Sequence, residues 1–301
     1  MPAEKLPPLT DVRYRLEYYG LRLIIAGVRA LSIDRAARIS AKLWRWIAPY
    51  QRRHRRALEN LAIAFPEKTP EEREAIARAM WANLGRVMAE TMLIDRLVQE
   101  PERIEIISDK VFSRYKDKLG PAVGVSLHMG NWELAIWPLT LAGAEPAAIF
   151  RTVKNPYVDA YLREQRKALY PGGLFGKGTV EESQRTARIM TDYVRQGGRL
   201  GIVADLHDRT GLPVPFFGHP APSVVAPALI ARRVGARIWM ARCIRVGTES
   251  RFQIELKELR VPRTANMGSD IRETTAAMQR QFEDWIRETP EQWMWSNRRW
   301  S

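Results

Sequence analysis

Apolar and polar positions along the chain follow two periods, one suited to helices and one to strands. Between residues 11 and 31, Tyr14, Tyr18, Leu21, Ile25 and Val28 recur at alternating steps of four and three, while Arg15, Arg22 and Arg29 recur every seventh position on another face. This spacing predicts an amphipathic helix. A second helical stretch, 36–47, adds Leu43, Trp44, Trp46 and Ile47. At Thr69-Pro70-Glu71-Glu72 the chain carries a strong helix start. Thr69 suits the cap, Pro70 the first helical position, and Glu72 completes a capping box. That helix is expected to run to about residue 94. Farther on, short apolar runs at 122–127, 147–150, 200–204, 237–244 and 252–256 predict strands. Helical patterns at 131–141, 155–170, 180–195, 224–234 and 269–288 lie between or after them. Strands alternating with helices imply an α/β layered fold with a central mixed, largely parallel sheet flanked by helices, preceded by an N-terminal helical extension. Linker-like joints fall near 47–51 and 100–120, and the chain divides at the first into 1–50 and 51–301.

Charge changes this picture. The 301 residues hold 48 Lys and Arg against 34 Asp and Glu, a formal net charge of +14, which suits an anionic partner such as nucleic acid, an anionic membrane leaflet or an acidic carrier protein. The first ten residues are polar and Pro-rich, without the apolar core of a secretory signal. No run approaches the ~18 apolar residues a spanning helix needs, and the best candidate, 21–31, is interrupted by Arg22 and Arg29. Residues 1–50 are therefore expected to lie on a membrane surface, with apolar side chains among the lipid tails and arginines among the phosphates. The alternative is that the same stripe packs on the protein's own core. The single cysteine, Cys243, excludes an internal disulfide and reads as core filler within a strand.

The segment Ser126-Leu127-His128-Met129-Gly130-Asn131-Trp132-Glu133-Leu134 carries the candidate chemistry. In one regular helix His128 and Glu133 would diverge by roughly 140°. They can meet only if the chain bends between them, and Gly130 supplies that freedom. His128 would then end a strand, Asn131 would cap the next helix, and Glu133 would lie in its first turn, where the helix dipole favours a carboxylate. A carboxylate on one imidazole nitrogen fixes the tautomer and leaves the other nitrogen as a base for a substrate hydroxyl. The plainer alternative is a satisfied buried histidine beside a helix-start glutamate.

His128-Met129-Gly130-Asn131-Trp132-Glu133 resembles the HxxxxD/E motif of glycerolipid acyltransferases, and is most similar to the branch that adds secondary lauroyl and myristoyl chains to lipid A. Further blocks resemble that family in the same order: Arg52-Arg53-His54-Arg55-Arg56 through Asn60-Leu61 with Phe65-Pro66-Glu67; Phe150-Arg151 through Asp159; Ala204-Asp205 through Gly218; and Pro290 through Trp300. The resemblance implies an acyltransferase domain over 51–301, an acyl thioester donor carried on acyl carrier protein, and a lipid A precursor as acceptor. It also implies His128 and Glu133 as the general-base pair. Arg151, Asn131, Asp205, Asp208, Arg298 and Arg299 are the candidates for substrate contact or site organisation. Asp205-Leu206-His207-Asp208 leaves open which aspartate holds the family's acidic role. Ser296-Asn297 stands where a histidine often precedes the two arginines, and an arginine-interrupted amphipathic helix replaces the family's N-terminal spanning helix. Attachment to the cytoplasmic face of the bacterial inner membrane is thus expected to be peripheral or monotopic. No metal or other cofactor is expected.

A lysophospholipid or other glycolipid O-acyltransferase would use the same His–Glu chemistry. A basic nucleic-acid-binding protein is the rival of another class, suggested by the charge and by the run 52–56. No helix-turn-helix, zinc-finger or aromatic-strand signature accompanies that charge, so no nucleic-acid partner is expected.

Overall fold

In the computed structural model, residues 7–108, 120–177 and 180–300 are described, with the backbone alone for residues 151, 177 and 180–185. Among the described residues, a seven-stranded sheet has the order β1-β9-β8-β2-β5-β3-β4. Its strands are β1 Ile104–Ser108, β2 Ala122–Gly130, β3 Pro146–Arg151, β4 Gly173–Lys177, β5 Arg199–Val203, β8 Arg237–Arg245 and β9 Phe252–Leu259. All neighbours pair in parallel except β8 with β9. A separate antiparallel hairpin joins β6 His207–Phe216 to β7 His219–Ser223. The mixed, largely parallel α/β architecture is the one the alternating pattern implies.

Both faces of the sheet are covered, which explains why the central strands read as continuous apolar runs instead of alternating ones. On one face Val123, Val125, Leu127 and Met129 pack with Phe282, Trp285 and Ile286 of the C-terminal helix Met267–Glu288. On the other, Trp239, Ala241 and Cys243 pack with Leu134, Ile136 and Leu139. Cys243 is fully buried, as core filler should be.

Helices α1 (Pro8–Arg29), α2 (Ile33–Ile47), α3 (Arg52–Ala64) and α4 (Pro70–Thr91) precede the sheet. The capping box forms as expected: Thr69 accepts from the Glu72 amide and Glu72 accepts from the Thr69 amide. At the joint 47–51, the three-residue turn Ala48–Tyr50 buries Ala48 completely in the main core, and Ser40 of α2 donates to the Gly85 carbonyl of α4 at 2.6 Å. The stretch 100–120 includes β1; residues 109–119 lie outside the described ones.

The N-terminal helix corrects the assignment of its faces. Tyr14, Tyr18, Leu21, Ile25 and Val28 turn toward the protein, with Tyr18 against Tyr157 and Tyr161 of the helix Pro156–Arg166 and Ile25 buried. The arginines of the sevenfold repeat also have protein partners. Arg15 pairs with Asp11, Arg22 lies over the rings of Tyr18 and Tyr161, and Arg29 holds Asp95 through two hydrogen bonds of 2.8 Å. Leu9, Val12, Leu16, Tyr19 and Leu23 face outward instead, again at alternating steps of three and four. The helix thus has two apolar stripes of the same period, and the one with two tyrosines packs on the body of the protein. None of the described helices is long and apolar enough to cross a membrane.

Candidate active site

The register of two neighbouring strands builds the site. β2 and β5 run in parallel with Ser126 opposite Val203, so His128 and Asp205, each two residues farther on, arrive at the same level. The link Ala204 N–H to Ser126 C=O, 2.9 Å, continues the pairing to that point. This is the carboxyl edge of a parallel sheet, where open α/β folds place their ligands. The strand expected to stop at His128 instead runs to Gly130, with its pairing to β8 shifting between Ser126 and Gly130. The segment after β9 and the C-terminal helix closes over this shift: Met129 bridges Trp293, and the Met294 amide donates to the His128 carbonyl at 3.0 Å.

Gly130 makes the bend, with φ +56°. A Cβ there would lie 1.8 Å from the Cys243 carbonyl oxygen, so a glycine is required for both conformation and space. Asn131 does not cap the following helix. Its amide donates to the Cys243 carbonyl and its side chain donates to Glu90 of α4 at 3.0 Å. The expected helix 131–141 is a 3₁₀ segment, Trp132–Ile136, followed by the short α-helix Trp137–Leu141. Pro138 accounts for the difference, since a continuous α-helix would need its missing N–H and would clash one turn back.

The expected contact between His128 and Glu133 is replaced by another. Asp205 Oδ1 accepts from His128 Nδ1 at 2.8 Å, and Asp205 Oδ2 accepts from both the His128 backbone amide, 2.9 Å, and the Trp293 indole, 2.7 Å. Glu133 accepts two hydrogen bonds from Arg166, at 2.8 and 3.0 Å. It therefore acts on the imidazole only through its field. The reason is geometric: the bend at Gly130 leads into 3₁₀ turns that carry Glu133 toward Arg166, while β5 delivers Asp205 in register with His128.

Asp205 is fully buried, whereas the His128 side chain keeps 21% of its accessible surface. Burial opposes ionisation of both. For His128 that opposition is outweighed by the charge and hydrogen bond of Asp205, with a smaller contribution from Glu133, so its pKa lies above the ordinary imidazole value. For Asp205 it is outweighed by His128, through charge, ring and amide, and by the Trp293 donor, so its carboxyl stays below the usual carboxylate range. With Nδ1 committed to Asp205, Nε2 is the nitrogen available to a substrate. The Trp132 ring lies beside the imidazole, 5.2 Å between centroids.

The remaining candidates separate. Asp208 accepts from the amide and hydroxyl of Thr210, a local turn at the base of the hairpin. Arg299 is not a surface phosphate ligand. It is buried under β6–β7, donating to Pro222 O, Ser223 and Gln279, and lies 4.3 Å from the Phe216 ring centroid. Burial pushes its pKa down to about 10, against the pull of the Asp205 charge. Arg298 is exposed, and its carbonyl accepts from the His207 amide. Arg151 ends β3 beside Lys177, and its side chain lies outside the described ones.

Three elements of the site escaped sequence reasoning. Trp293 lies in the core, where its indole fixes Asp205. Arg166 gave no signal beyond a basic residue near a helix end. Glu90 is fully buried and takes Arg245 through two hydrogen bonds, Ser250 at 2.6 Å and Asn131, bracing the bend from below. Its position three residues after Val87, on the buried side of α4, was the available signal.

The site thus presents an imidazole with one nitrogen held by a buried carboxylate and its side chain partly open at the sheet edge, an arrangement able to take up a proton at the free nitrogen. A family-wide sequence profile described as bacterial lipid A biosynthesis acyltransferase matches residues 4–301, and the chain belongs to that family. It is 28% identical over 182 residues to a lipid A biosynthesis acyltransferase 2 of Shigella flexneri, covering 58% of this chain and 54% of that protein. It is 28% identical over 172 residues to a lipid A biosynthesis myristoyltransferase of Escherichia coli, covering 52% and 50%. The matched region thus spans about half the length of these curated relatives.

Proposed function

We propose that the protein transfers a fatty acyl group from a thioester, carried on acyl carrier protein, to a hydroxyl of a lipid A precursor. His128 Nε2 takes the proton as the acceptor oxygen bonds to the thioester carbonyl carbon. The carbon–sulfur bond then breaks, and the protonated imidazole returns its proton to the departing thiolate. Asp205 holds the ring in the Nδ1–H tautomer and stabilises the imidazolium. The observation that carries this reading is the buried Asp205 carboxylate aimed at Nδ1 and fixed by two further donors. The net charge of +14 supports an acidic carrier protein and a phosphorylated acceptor, and the names of the curated relatives support the acceptor class.

Placement on the cytoplasmic face of the inner membrane rests on the outward faces of α1 and α2. Leu9, Leu16 and Leu23 are exposed on α1, and Leu43, Trp46 and Tyr50 on and just after α2. Arg35, Arg38, Lys42 and Arg45 on α2 are exposed with them. Apolar side chains rimmed by cations suit the interface of an anionic leaflet. The test is a reaction of purified protein with carrier-bound acyl donors and lipid A precursor, products identified by mass spectrometry. Acylated product from the wild type and none from His128→Ala is the expected result. Product from His128→Ala at the wild-type rate would remove the base.

A further inference from the structure

His128 stands where the ladder of β2 is irregular. Between the pairs Ser126–Ala241 and Gly130–Cys243, β2 advances four residues while β8 advances two. An interrupted ladder leaves backbone groups that side chains must satisfy. Against this stretch runs the segment 290–297, which meets β2 through the Met129–Trp293 bridge and the Met294 amide on the His128 carbonyl. Trp293 sends its indole to Asp205 from there. The place of this segment therefore decides how firmly the carboxylate meets Nδ1.

Asn83 of α4 joins the two. Its NH₂ donates to the Gly130 carbonyl at 3.1 Å and to the Gln292 carbonyl at 3.4 Å, and its oxygen accepts from Arg245 Nε at 3.2 Å. The orientation is forced. A guanidinium only donates, so the amide oxygen must face Arg245 and both N–H groups must face the carbonyls. Arg245 is itself fixed, because it donates to Glu90 at 2.7 and 2.8 Å and to the Glu249 carbonyl at 3.2 Å. Gln292 is tied to the same point of β8: its side chain accepts from the Arg245 amide at 2.7 Å and donates to the Arg245 carbonyl at 3.0 Å. Asn83, Val87 and Glu90 share one face of α4. One helix thus holds Gly130 through Asn83 and Asn131 through Glu90. At the far end of the segment, Asn60 of α3 donates to the carbonyls of Trp295 and Asn297 at 2.7 and 2.8 Å.

We propose that Asn83 is a positioning residue for the reaction: it fixes the bend after His128 against the C-terminal segment, and so holds the Trp293 indole on Asp205 and Asp205 on the imidazole. Its donors go to backbone carbonyls, so it acts on the ring only through the chain they belong to. The effect on rate rests on the acyl-transfer reading; the effect on the imidazole does not. Burial lowers the pKa of the ring, and the charge and hydrogen bond of Asp205, with a smaller share from Glu133, more than offset it. A loosened Asp205 brings that pKa down.

The test starts from Asn83→Leu, which keeps the approximate shape and removes the donors and the acceptor. It is expected to lower kcat by about tenfold to a hundredfold with KM changed less than about twofold, the scale on which a slightly displaced reacting group slows a reaction. The His128 titration, followed by NMR without substrate, is expected to move to a lower midpoint. In a Trp293→Phe background, which lacks the indole donor, Asn83→Leu is expected to move that midpoint much less, since the two residues act in one chain of contacts. In wild-type protein both Asn83 side-chain amide protons should exchange with solvent far more slowly than those of a free amide, a measurement that needs no variant to fold. A kcat and midpoint unchanged in an Asn83→Leu protein that melts like wild type, equal midpoint shifts with and without Trp293, or side-chain protons exchanging at the free rate would each overturn the proposal. A wild type that transfers no acyl group from any donor would sink the acyl-transfer reading instead, with the titration and exchange still deciding on Asn83.

Discussion

Replacing Asp205 by Asn keeps shape and volume but removes one acceptor, and the geometry allows the amide no good orientation. Three donors converge on the two oxygens: His128 Nδ1 on Oδ1, and the His128 amide and Trp293 indole on Oδ2. If the asparagine oxygen faces the amide and the indole, its NH₂ faces Nδ1. The ring must then carry its proton on Nε2, the nitrogen that should accept one. If the oxygen faces Nδ1, the NH₂ meets two buried donors, each costing about 1–3 kcal/mol when left unpaired. The first orientation is cheaper and catalytically wrong. The expected loss in kcat is about 10³–10⁴-fold, or about 4–5.5 kcal/mol of barrier, with little change in melting temperature. The assay is steady-state acyl transfer beside a calorimetric melt. An Asp205→Asn protein within about tenfold of wild type at its optimum would refute the argument that Asp205 sets the tautomer.

Glu133→Gln should behave differently from Asp205→Asn. It leaves Arg166 without its carboxylate in a mostly buried site, so stability should fall by about 3 kcal/mol while kcat falls at least tenfold less than in Asp205→Asn; denaturant titration and rate measurement separate the two. Activity should drop as pH falls through the raised pKa of His128, because only the neutral ring accepts a proton. The acid limb of kcat/KM should therefore lie above the ordinary imidazole value of about 6.5, and a limb at or below that value would contradict the Asp205 contact. Gly130→Ala forces a side chain into a left-handed conformation, costing about 1–2 kcal/mol before its overlap with the Cys243 carbonyl is counted; loss of activity with a lowered melting temperature is expected. Leu16→Glu with Leu23→Glu should release the protein from vesicles containing anionic lipid in a flotation assay, without lowering its melting temperature, since both side chains are exposed.

Much of the architecture was legible because helix and strand periods are local. The capping box at Thr69, the central strands and the bend at Gly130 each follow from a few adjacent residues. The partner of His128 was not legible in that way. Glu133 is near His128 in sequence, whereas Asp205 reaches it only through strand register, and register between nonconsecutive strands leaves no local mark. The loop at 205–208 offered two aspartates, and only the position of β5 distinguishes the one that points inward from the one that closes a turn. The two faces of α1 show the same limit. Both stripes have helical period, and which one meets the protein depends on tyrosines in a helix more than a hundred residues away. β1, β4 and the hairpin β6–β7 were missed for a related reason: they are short, glycine- or proline-containing, or at an edge, so little apolar signal accumulates.

Because Trp293 secures Asp205 and the Met294 amide holds the His128 carbonyl, the order of synthesis matters. Position 128 emerges from the ribosome early, and its aspartate follows after 77 more residues, but the indole that secures that aspartate comes 88 residues later still. A nascent chain can therefore lay down most of its sheet, and expose its outward helical stripe to a lipid surface, while still lacking a competent base. The base would become competent only when the segment around Trp293 and Met294 folds back across β2.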